Sequence, residues 1–341
     1  MNFVFRHGLI ISLLFCLTLA AAGQERKTIE VPKAKLPPPP DRSIVAATVN
    51  GQPIHEIAIY RALAQFPVDA HKTARPKVLE FLAEKVMLDQ YLNQLKIKVD
   101  PKDVDKQVTE IKEQLTKNKK DFNEFLKSLF LTEQELRTEI TGALRWEAFV
   151  NQHASDDKLK ALFAKNKEMF DGSLVRARHI LIKPETDTPE AAKKAQAYTQ
   201  SIKKYIEGKI AQELAKLPDS TGKLEKEQAR VKALDKVFSE TAEKYSSCPS
   251  KKQGGELGWF PRLGKMVEPF SAAAFALQPF TMSDPVASEF GYHLILTVDE
   301  KKGREVTFDQ VKPFVRDVYS ERLREAVLVQ MKKASKVEVK K

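Results

Sequence analysis

The spacing of apolar residues predicts a block of amphipathic helices in the first half of the chain. One helical face comprises Val104, Val108, Ile111 and Leu115. The start of this helix is predicted at Asp100, a capping residue that stands directly before Pro101. Helical faces of this width need partners to bury them, so the block is expected to fold as an all-α domain.

Local turn and capping signals add further elements to this block. Thr132 and Glu135 form a capping box that opens a helix running towards Val150. The apolar run 44–49 ends at Asn50-Gly51, a turn signal that predicts a β-hairpin before the helices.

A different pattern begins near residue 174, where strand-like and helical segments alternate. The predicted strands are 175–183, 257–260, 285–289 and 292–298. The predicted helices are 189–245, with a break at 217–222, and 268–277. A final helix over 307–333 is similar to the earlier block, which indicates that the tail folds back onto the N-terminal helices.

The N-terminus carries the pattern of a signal peptide. Arg6 and His7 precede an apolar run over 9–19, and alanines at 20–22 offer a cleavage site. The run is too short to span a bilayer, so cleavage after Ala22 is expected, with an uncleaved anchor as the alternative. A proline-rich spacer follows. The chain is therefore expected to be exported.

Charge and cysteine content narrow the class of partner. The formal net charge is +11, but the lysines are interspersed with acidic residues along the predicted helices, which is typical of a solvated surface. Together with export, this argues against a nucleic-acid binder, while attraction to an anionic membrane surface or to acidic unfolded chains stays open. Cleavage would remove Cys16 and leave Cys248 alone, so no intrachain disulfide is expected.

The most unusual segment is 247–260, which combines Cys248, two adjacent glycines and a Trp-Phe pair. Adjacent glycines indicate positive φ or a close backbone approach. His179 and His293 lie in apolar strand-like runs on either side. A His, Cys and His set suits zinc, and a Cys-His pair suits a nucleophile with its base. The spacings match no local metal motif and no protease signature surrounds Cys248, so both remain alternatives.

Five segments in this order resemble a parvulin-type peptidyl-prolyl cis–trans isomerase: R-A-R-H-I-L-I-K, Y-S-S-C-P-S-K-K-Q-G-G-E-L-G-W-F, G-K-M-V-E-P-F, A-A-F-A-L and D-P-V-A-S-E-F-G-Y-H-L-I-L. The resemblance covers about residues 173–300. The layout of the whole chain resembles the exported SurA and PrsA foldases. The implied domains are a signal peptide (1–22), a proline-rich linker (23–43), a helical chaperone domain (44–171), a parvulin domain (172–301) and a C-terminal helix that packs on the chaperone domain (302–341).

The resemblance implies a set of site residues. The catalytic positions are His179, Cys248, Ser288 and His293. The substrate-binding positions are Leu257, Met266, Phe270 and Phe290, of which the first three match the apolar pocket for the proline ring. Each residue alone has an ordinary interpretation, since a histidine in an apolar strand or a lone cysteine is most often a core residue. No metal and no cofactor is implied, and Cys248 is not expected to act as a nucleophile.

The implied fold is α+β, with a parvulin domain of a small antiparallel sheet and flanking helices beside an all-α chaperone domain. The implied function is noncovalent isomerisation of X-Pro bonds in unfolded or partly folded exported polypeptides that contain proline. The expected location is the periplasm, with secretion as an alternative. The alternative is a binding-only periplasmic chaperone with a catalytically weak parvulin domain. Peripheral membrane association stays open, and nucleic acid is not expected as a partner.

One segment departs from the parvulin pattern. Residues 209–235, rich in Lys and Glu, separate the first long helix from the motif V-F-S-E-T-A-E-K-Y-S. They are expected to form a helical hairpin that protrudes from the domain and does not touch the core motifs. Such a hairpin would bear on which substrates reach the site more than on the fold.

Overall fold

The computed structural model describes residues 36–340, which form two compact units. The helical unit comprises 36–162 and 312–340, and the mixed unit comprises 163–311. The predicted signal peptide and most of the proline-rich spacer lie outside the described residues. Among residues 36–340, no helix has both the length and the apolar character needed to cross a membrane.

In chain order, the helices are α1 (Glu56–Leu63), α2 (His71–Gln94), α3 (Pro101–Lys117), α4 (Phe122–Ser128), α5 (Glu133–His153), α6 (Asp156–Lys165), α7 (Pro189–Leu214), α8 (Lys223–Tyr245), α9 (Glu268–Ala276) and α10 (Phe308–Ala334). The strands are β1 (Val45–Val49), β2 (Gln52–His55), β3 (Leu174–Ile182), β4 (Glu256–Pro261), β5 (Thr281–Met282), β6 (Val286–Ser288), β7 (Gly291–Lys301) and β8 (Val337–Val339).

The helix caps and the apolar helix face that were predicted in the first half of the chain are confirmed. The Asp100 side chain accepts a hydrogen bond from the backbone N–H of Lys102, and the predicted apolar face of α3 is buried against α4 and α5. The capping box that opens α5 is complete, because Thr132 N–H donates to Glu135 Oε2 at 2.7 Å and Glu135 N–H donates to Thr132 Oγ1 at 3.1 Å.

A three-stranded antiparallel sheet, in the order β2-β1-β8, accompanies the helices of this unit. The predicted hairpin is present, and its turn residues Asn50 and Gly51 have φ values of 51° and 84°. Asn50 N–H also donates to the Lys336 carbonyl at 2.9 Å, which brings β8 beside β1. The expectation that this domain is purely helical is therefore wrong, because the domain also contains this sheet. Strand β8 was not predicted because its pairing depends on residues far apart in sequence: Lys336, just before β8, lies 286 positions after Asn50.

The mixed unit is built on an antiparallel sheet in the order β4-β3-β7-β5, with β6 paired to β7. Side chains alternate between its two faces. On β7, Leu294 and Leu296 pack in the core formed with α7 and α8, whereas Ile295 packs in a second core with α9. The sheet is thus covered on both faces, as the fold class predicts.

The segment 209–235 forms the end of α7, the connecting turn and the first half of α8. The expectation that it avoids the core motifs is wrong. Asp235 Oδ1 accepts a hydrogen bond at 2.9 Å from Nε of Arg178, which directly precedes His179, and Leu234 is 2% exposed. The physical reason is that α8 runs unbroken from Lys223, so its first half is carried against the sheet together with its second half.

Candidate active site

Strand alternation places His179 and His293 on the same face of the sheet, the face covered by α9. On β3, His179 pairs with Ile295 of β7, and His293 pairs with Leu181. The two histidines are therefore diagonal neighbours on adjacent antiparallel strands, close enough for long side chains to meet. Their rings stack with centroids 5.4 Å apart.

These histidines and Ser288 form a chain of hydrogen bonds that we call the histidine network. Nδ1 of His179 lies 3.2 Å from Nδ1 of His293, and Nε2 of His293 lies 2.6 Å from Ser288 Oγ. Ser288 Oγ also accepts from the backbone N–H of Phe290 at 3.1 Å. The Ser288 hydroxyl has a second group to which it can donate, the Gly291 carbonyl, but this oxygen is 3.5 Å away. The Ser288 proton therefore belongs on the shorter bond to His293.

The distances favour one order of protons along the network. If Ser288 donates to Nε2 of His293, then His293 carries its own proton on Nδ1 and donates it to His179. We infer that His179 in turn carries its proton on Nε2. This atom is buried and has no hydrogen-bond partner within residues 36–340. The network therefore ends in an unpaired, buried N–H donor, His179 Nε2–H.

Both imidazoles are neutral at physiological pH. His179 is 5% exposed and His293 is 4% exposed. Burial, with repulsion from His293 as a smaller cause, lowers the pKa of His179 to about 4. Burial alone lowers the pKa of His293 to about 4. Neither ring has a carboxylate in the network that would favour its charged form.

Acidification is expected to destabilise the mixed unit through these two rings. In the unfolded chain each imidazole takes up its proton near pH 6.5, whereas the folded protein holds each pKa at about 4. The unfolded state therefore binds more protons between these values, and the free energy of unfolding falls as the pH decreases. From pH 7 to pH 5 the expected loss is about 2 kcal/mol for each imidazole.

Urea unfolding at the two pH values measures this loss, with Trp259 of β4 as the fluorescent reporter in a Trp146→Phe background. Trp146 and Trp259 are the two tryptophans of the chain. A His293→Gln variant is expected to lose about half of the histidine-linked pH dependence. The same pH dependence in the variant and its parent would contradict the buried neutral state.

The glycine pair anchors the segment between α8 and β4 to the strand of His179. Gly255 accepts a hydrogen bond at 2.9 Å from the backbone N–H of His179. Its φ is 78°, and a Cβ atom there would lie 2.4 Å from the His179 carbonyl oxygen. Only glycine fits this approach. The odd composition of the segment is thus explained by contact with a site residue.

Cys248 lies in the loop that this anchor closes. Backbone hydrogen bonds tie both ends of this loop to β3. At one end Ser247 N–H donates to the Leu181 carbonyl at 2.8 Å, and at the other His179 N–H donates to the Gly255 carbonyl. Ser246 Oγ accepts from the backbone N–H groups of both Leu181 and Cys248, at 3.1 and 3.2 Å. Cys248 is a free, half-buried thiol whose backbone is held against the histidine strand.

An apolar wall stands beside the histidine network, formed by Leu257, Met266 and Phe270. Phe270 of α9 is 3% exposed. Its ring meets both histidines edge-on, with centroid distances of 5.4 Å to His179 and 5.1 Å to His293. Leu257 and Met266 are half-buried and pack in the same cluster. Phe290, by contrast, is 48% exposed on the turn between β6 and β7.

The structure therefore brings most of the predicted site residues together. His179, His293, Ser288 and Phe270 form a chain of direct contacts, and Leu257 and Met266 pack against the cluster that contains Phe270. Within residues 36–340, no three His, Cys, Asp or Glu side chains are grouped as a metal site requires. The zinc alternative for His179, Cys248 and His293 gains no support from this geometry.

Sequence reasoning missed two buried polar residues that position this site. Ser246, 3% exposed, ties the Cys248 loop to β3. Arg262, 5% exposed, grips Glu268 with two hydrogen bonds of 2.7 and 2.8 Å at the start of α9, the helix that carries Phe270. A signal for Arg262 was present in the charged pair at i, i+6 around the turn, but its burial is visible only in three dimensions.

Comparisons with known proteins agree with this geometry. The family described as "Rotamase: PPIC-type PPIASE domain" matches residues 209–299, a range that includes Cys248 and His293 and begins after the strand of His179. The foldase protein PrsA of Bacillus subtilis is 30% identical over 277 residues, which cover 79% of this chain and 76% of that protein. Foldase protein PrsA 1 of Bacillus cereus is 30% identical over 262 residues, covering 75% and 72%.

Among solved structures, that of PrsA from Bacillus anthracis matches with a TM-score of 0.42 and 24% identity. The match covers 74% of this chain and 96% of that chain.

Proposed function

The chain belongs to the PrsA family of foldases and is a parvulin-type peptidyl-prolyl cis–trans isomerase that assists protein folding, and we propose that the histidine network and the apolar wall form its active site. The single observation that carries this assignment is the buried Nε2 of His179, a donor without a partner beside Phe270. Buried polar atoms are nearly always paired, so an unpaired donor beside an apolar wall is suited to a substrate group.

The apolar wall is the site for the proline ring. Leu257, Met266 and Phe270 offer half-buried and buried apolar surface next to the network, and Phe290 at the exposed rim covers the bound ring. Rotation about an X-Pro bond faces a barrier of roughly 18–20 kcal/mol because it breaks amide resonance. The planar imide is the more polar state, so moving it from water into an apolar slot favours the twisted transition state.

The network supplies the polar part of the reaction. In the twisted imide the prolyl nitrogen regains a lone pair, which His179 Nε2–H stabilises as a hydrogen-bond donor. His293 and Ser288 act as positioning residues, because they fix the tautomer and orientation of His179. A neutral network suits this role, since a cation at the imide oxygen would stabilise the planar form. Cys248 is assigned as a polar neighbour of the bond, and no covalent step is involved.

A His179→Ala, His293→Ala double variant tests the assignment. Its kcat/KM for a short X-Pro peptide is expected to fall about a hundredfold, the scale of losing one preorganised donor. His71→Ala is the matched control, because His71 lies outside the mixed unit and its Nε2 bonds the Phe66 carbonyl, away from the histidine network. Circular dichroism confirms that each variant is folded. Equal catalysis by wild type and double variant, above the uncatalysed rate, would place the active site elsewhere.

The same double variant separates isomerisation from client binding. We assign client binding to the helical chaperone domain, 44–171 with the tail 302–341, and isomerisation to 172–301 with its insertion at 209–235. The two compact units of the fold support a division of this kind, with 163–171 and 302–311 falling in the mixed unit. The double variant is expected to suppress aggregation of a proline-free unfolded protein as well as wild type does. A parallel loss of both activities would argue against the division.

The sequence pattern of residues 1–43 supports export to the periplasm, where the clients are unfolded polypeptides that contain proline. Cleavage after Ala22 makes Gly23 the first residue of the mature protein, which N-terminal sequencing reads directly. An intact Met1 on the exported protein would instead favour an uncleaved anchor. The net charge, +11 for the full chain and +10 once cleavage removes Arg6, supports peripheral association with an anionic membrane surface.

A further inference from the structure

A surface groove of about 660 Å³ lies between α7 and α8. One side is lined from Tyr205 to Leu217, and the other from Ala229 to Tyr245. The groove shares no lining residue with the histidine network or the apolar wall. It is therefore separate from the active site, although both belong to the mixed unit.

The floor of this groove is apolar and incompletely covered. Leu214, Ala233 and Val237 are half-buried side chains that pack onto the core between the two helices and the sheet. At one end Tyr245 is half-buried in the same way, and Tyr205 is 48% exposed. Apolar surface that stays uncovered along a helix pair is typical of a binding groove.

The rims of the groove are basic. Its lining contains four lysines, Lys209, Lys232, Lys236 and Lys244, against two glutamates. Glu213 already pairs with Lys216, which stands outside the lining, at 2.6 Å. Glu240 stands 4.0 Å from Lys236. The lining therefore keeps an excess of positive charge around an apolar floor.

We propose that this groove is a second client site, in addition to the helical chaperone domain, and that it binds segments of unfolded clients in which acidic residues alternate with apolar ones. The floor accepts the apolar side chains, and the rim lysines pair with the carboxylates. From Tyr205 to Leu217 the groove extends about 18 Å at ~1.5 Å per residue of helix, which matches about five residues of extended chain. The inference rests on the proposed function only in that the occupant is a client.

Bare polyanions fit the groove less well. Leucine, alanine and valine side chains on the floor offer no hydrogen bonds to phosphates. The flat rings of the lining, Tyr205 and Tyr245, lie at one end of the groove, so they give no stacking surface along its length. An acidic chain without apolar residues would use the rims and leave the floor exposed. The combination of floor and rims therefore selects an acidic-apolar polypeptide.

Fluorescence anisotropy tests this with the full chain and a labelled, proline-free peptide in which Glu and Asp alternate with Leu and Phe. A Lys232→Glu, Lys236→Glu variant is expected to bind about tenfold more weakly, because the new charges face the peptide. A Lys204→Glu, Lys226→Glu variant is the matched control, since it changes the net charge by the same amount on the two helices that form the groove, at positions outside its lining. Its affinity is expected to change less than about twofold.

Two outcomes would overturn the inference. Equal weakening by both variants would show unspecific charge attraction and overturn it. Equal affinity of wild type for polyglutamate or single-stranded DNA of the same charge would show that the apolar floor plays no part, and would overturn it as well. Both variants should keep wild-type kcat/KM on a short X-Pro peptide. Failure of wild type in that assay would contradict the isomerase assignment but not peptide binding, because the peptide lacks proline.

Discussion

Replacing Gly255 with alanine is expected to lower the free energy of unfolding of the mixed unit by about 3 kcal/mol or more, and to abolish isomerisation. The φ of 78° alone costs an L-residue about 1–2 kcal/mol. In addition, the new Cβ would lie 2.4 Å from the His179 carbonyl oxygen. That oxygen belongs to a strand paired on both sides, so it cannot yield without moving His179 itself.

Gly258→Ala is the matched control for this prediction. Gly258 has a φ of 66°, but a Cβ there would meet no atom within 4 Å. The control therefore carries the conformational cost, about 1 kcal/mol, without the collision. Urea unfolding reported by Trp259 in the Trp146→Phe background measures both variants. An equal loss of stability in the two would mean that the loop does not depend on its approach to His179.

Replacing Phe270 with alanine is expected to remove about 3–5 kcal/mol of stability and to lower kcat/KM about a hundredfold in the molecules that remain folded. The ring is 3% exposed and touches both histidines edge-on, so its loss leaves a cavity beside the network. It also removes a wall of the proline slot. Isomerisation kinetics, measured without a coupling protease and below the onset of thermal unfolding, separate the loss of activity from the loss of stability.

Phe275→Ala is the control for loss of an aromatic ring from the same cluster. Phe275 is half-buried and packs edge-on against Phe260, at 6.3 Å between centroids. It is expected to reduce stability with little change in kcat/KM. Phe270→Leu should recover much of the stability but not the activity, because leucine fills volume without meeting the histidines. Equal activity losses at 270 and 275 would contradict a specific role for Phe270.

Elements with a local physical cause were predictable from the sequence. The Asp100 cap, the Thr132–Glu135 box and the Asn50-Gly51 turn each act within a few residues, and all three are present. The break between α7 and α8 covers residues 215–222, which include the predicted break at 217–222. The strands that escaped prediction, β5 and β8, are two and three residues long. Runs this short carry no readable period, and they become strands only because β7 and β1 offer them hydrogen bonds.

The candidate site also has features that the sequence predicted and features that it did not. The motif order named His179, His293, Ser288 and Phe270, since each stands in a segment that the parvulin resemblance covers. It gave no proton positions and no sign that Asp235, in the segment expected to protrude, would hold Arg178. It also missed Ser246 and Arg262, because serine and arginine are usually exposed and only their partners account for their burial.

By itself, the sequence determined the family, the amphipathic helices and the main strands, and it named most residues of the candidate site, because caps, turns, periodicity and ordered motifs act over short stretches of chain. Only the tertiary structure decided that two histidines 114 positions apart share a 3.2 Å contact. It also decided that burial keeps them neutral and that Gly255 must lie against the backbone of His179. Those properties depend on distance and solvent exclusion, which arise when the strands pair and α9 covers them.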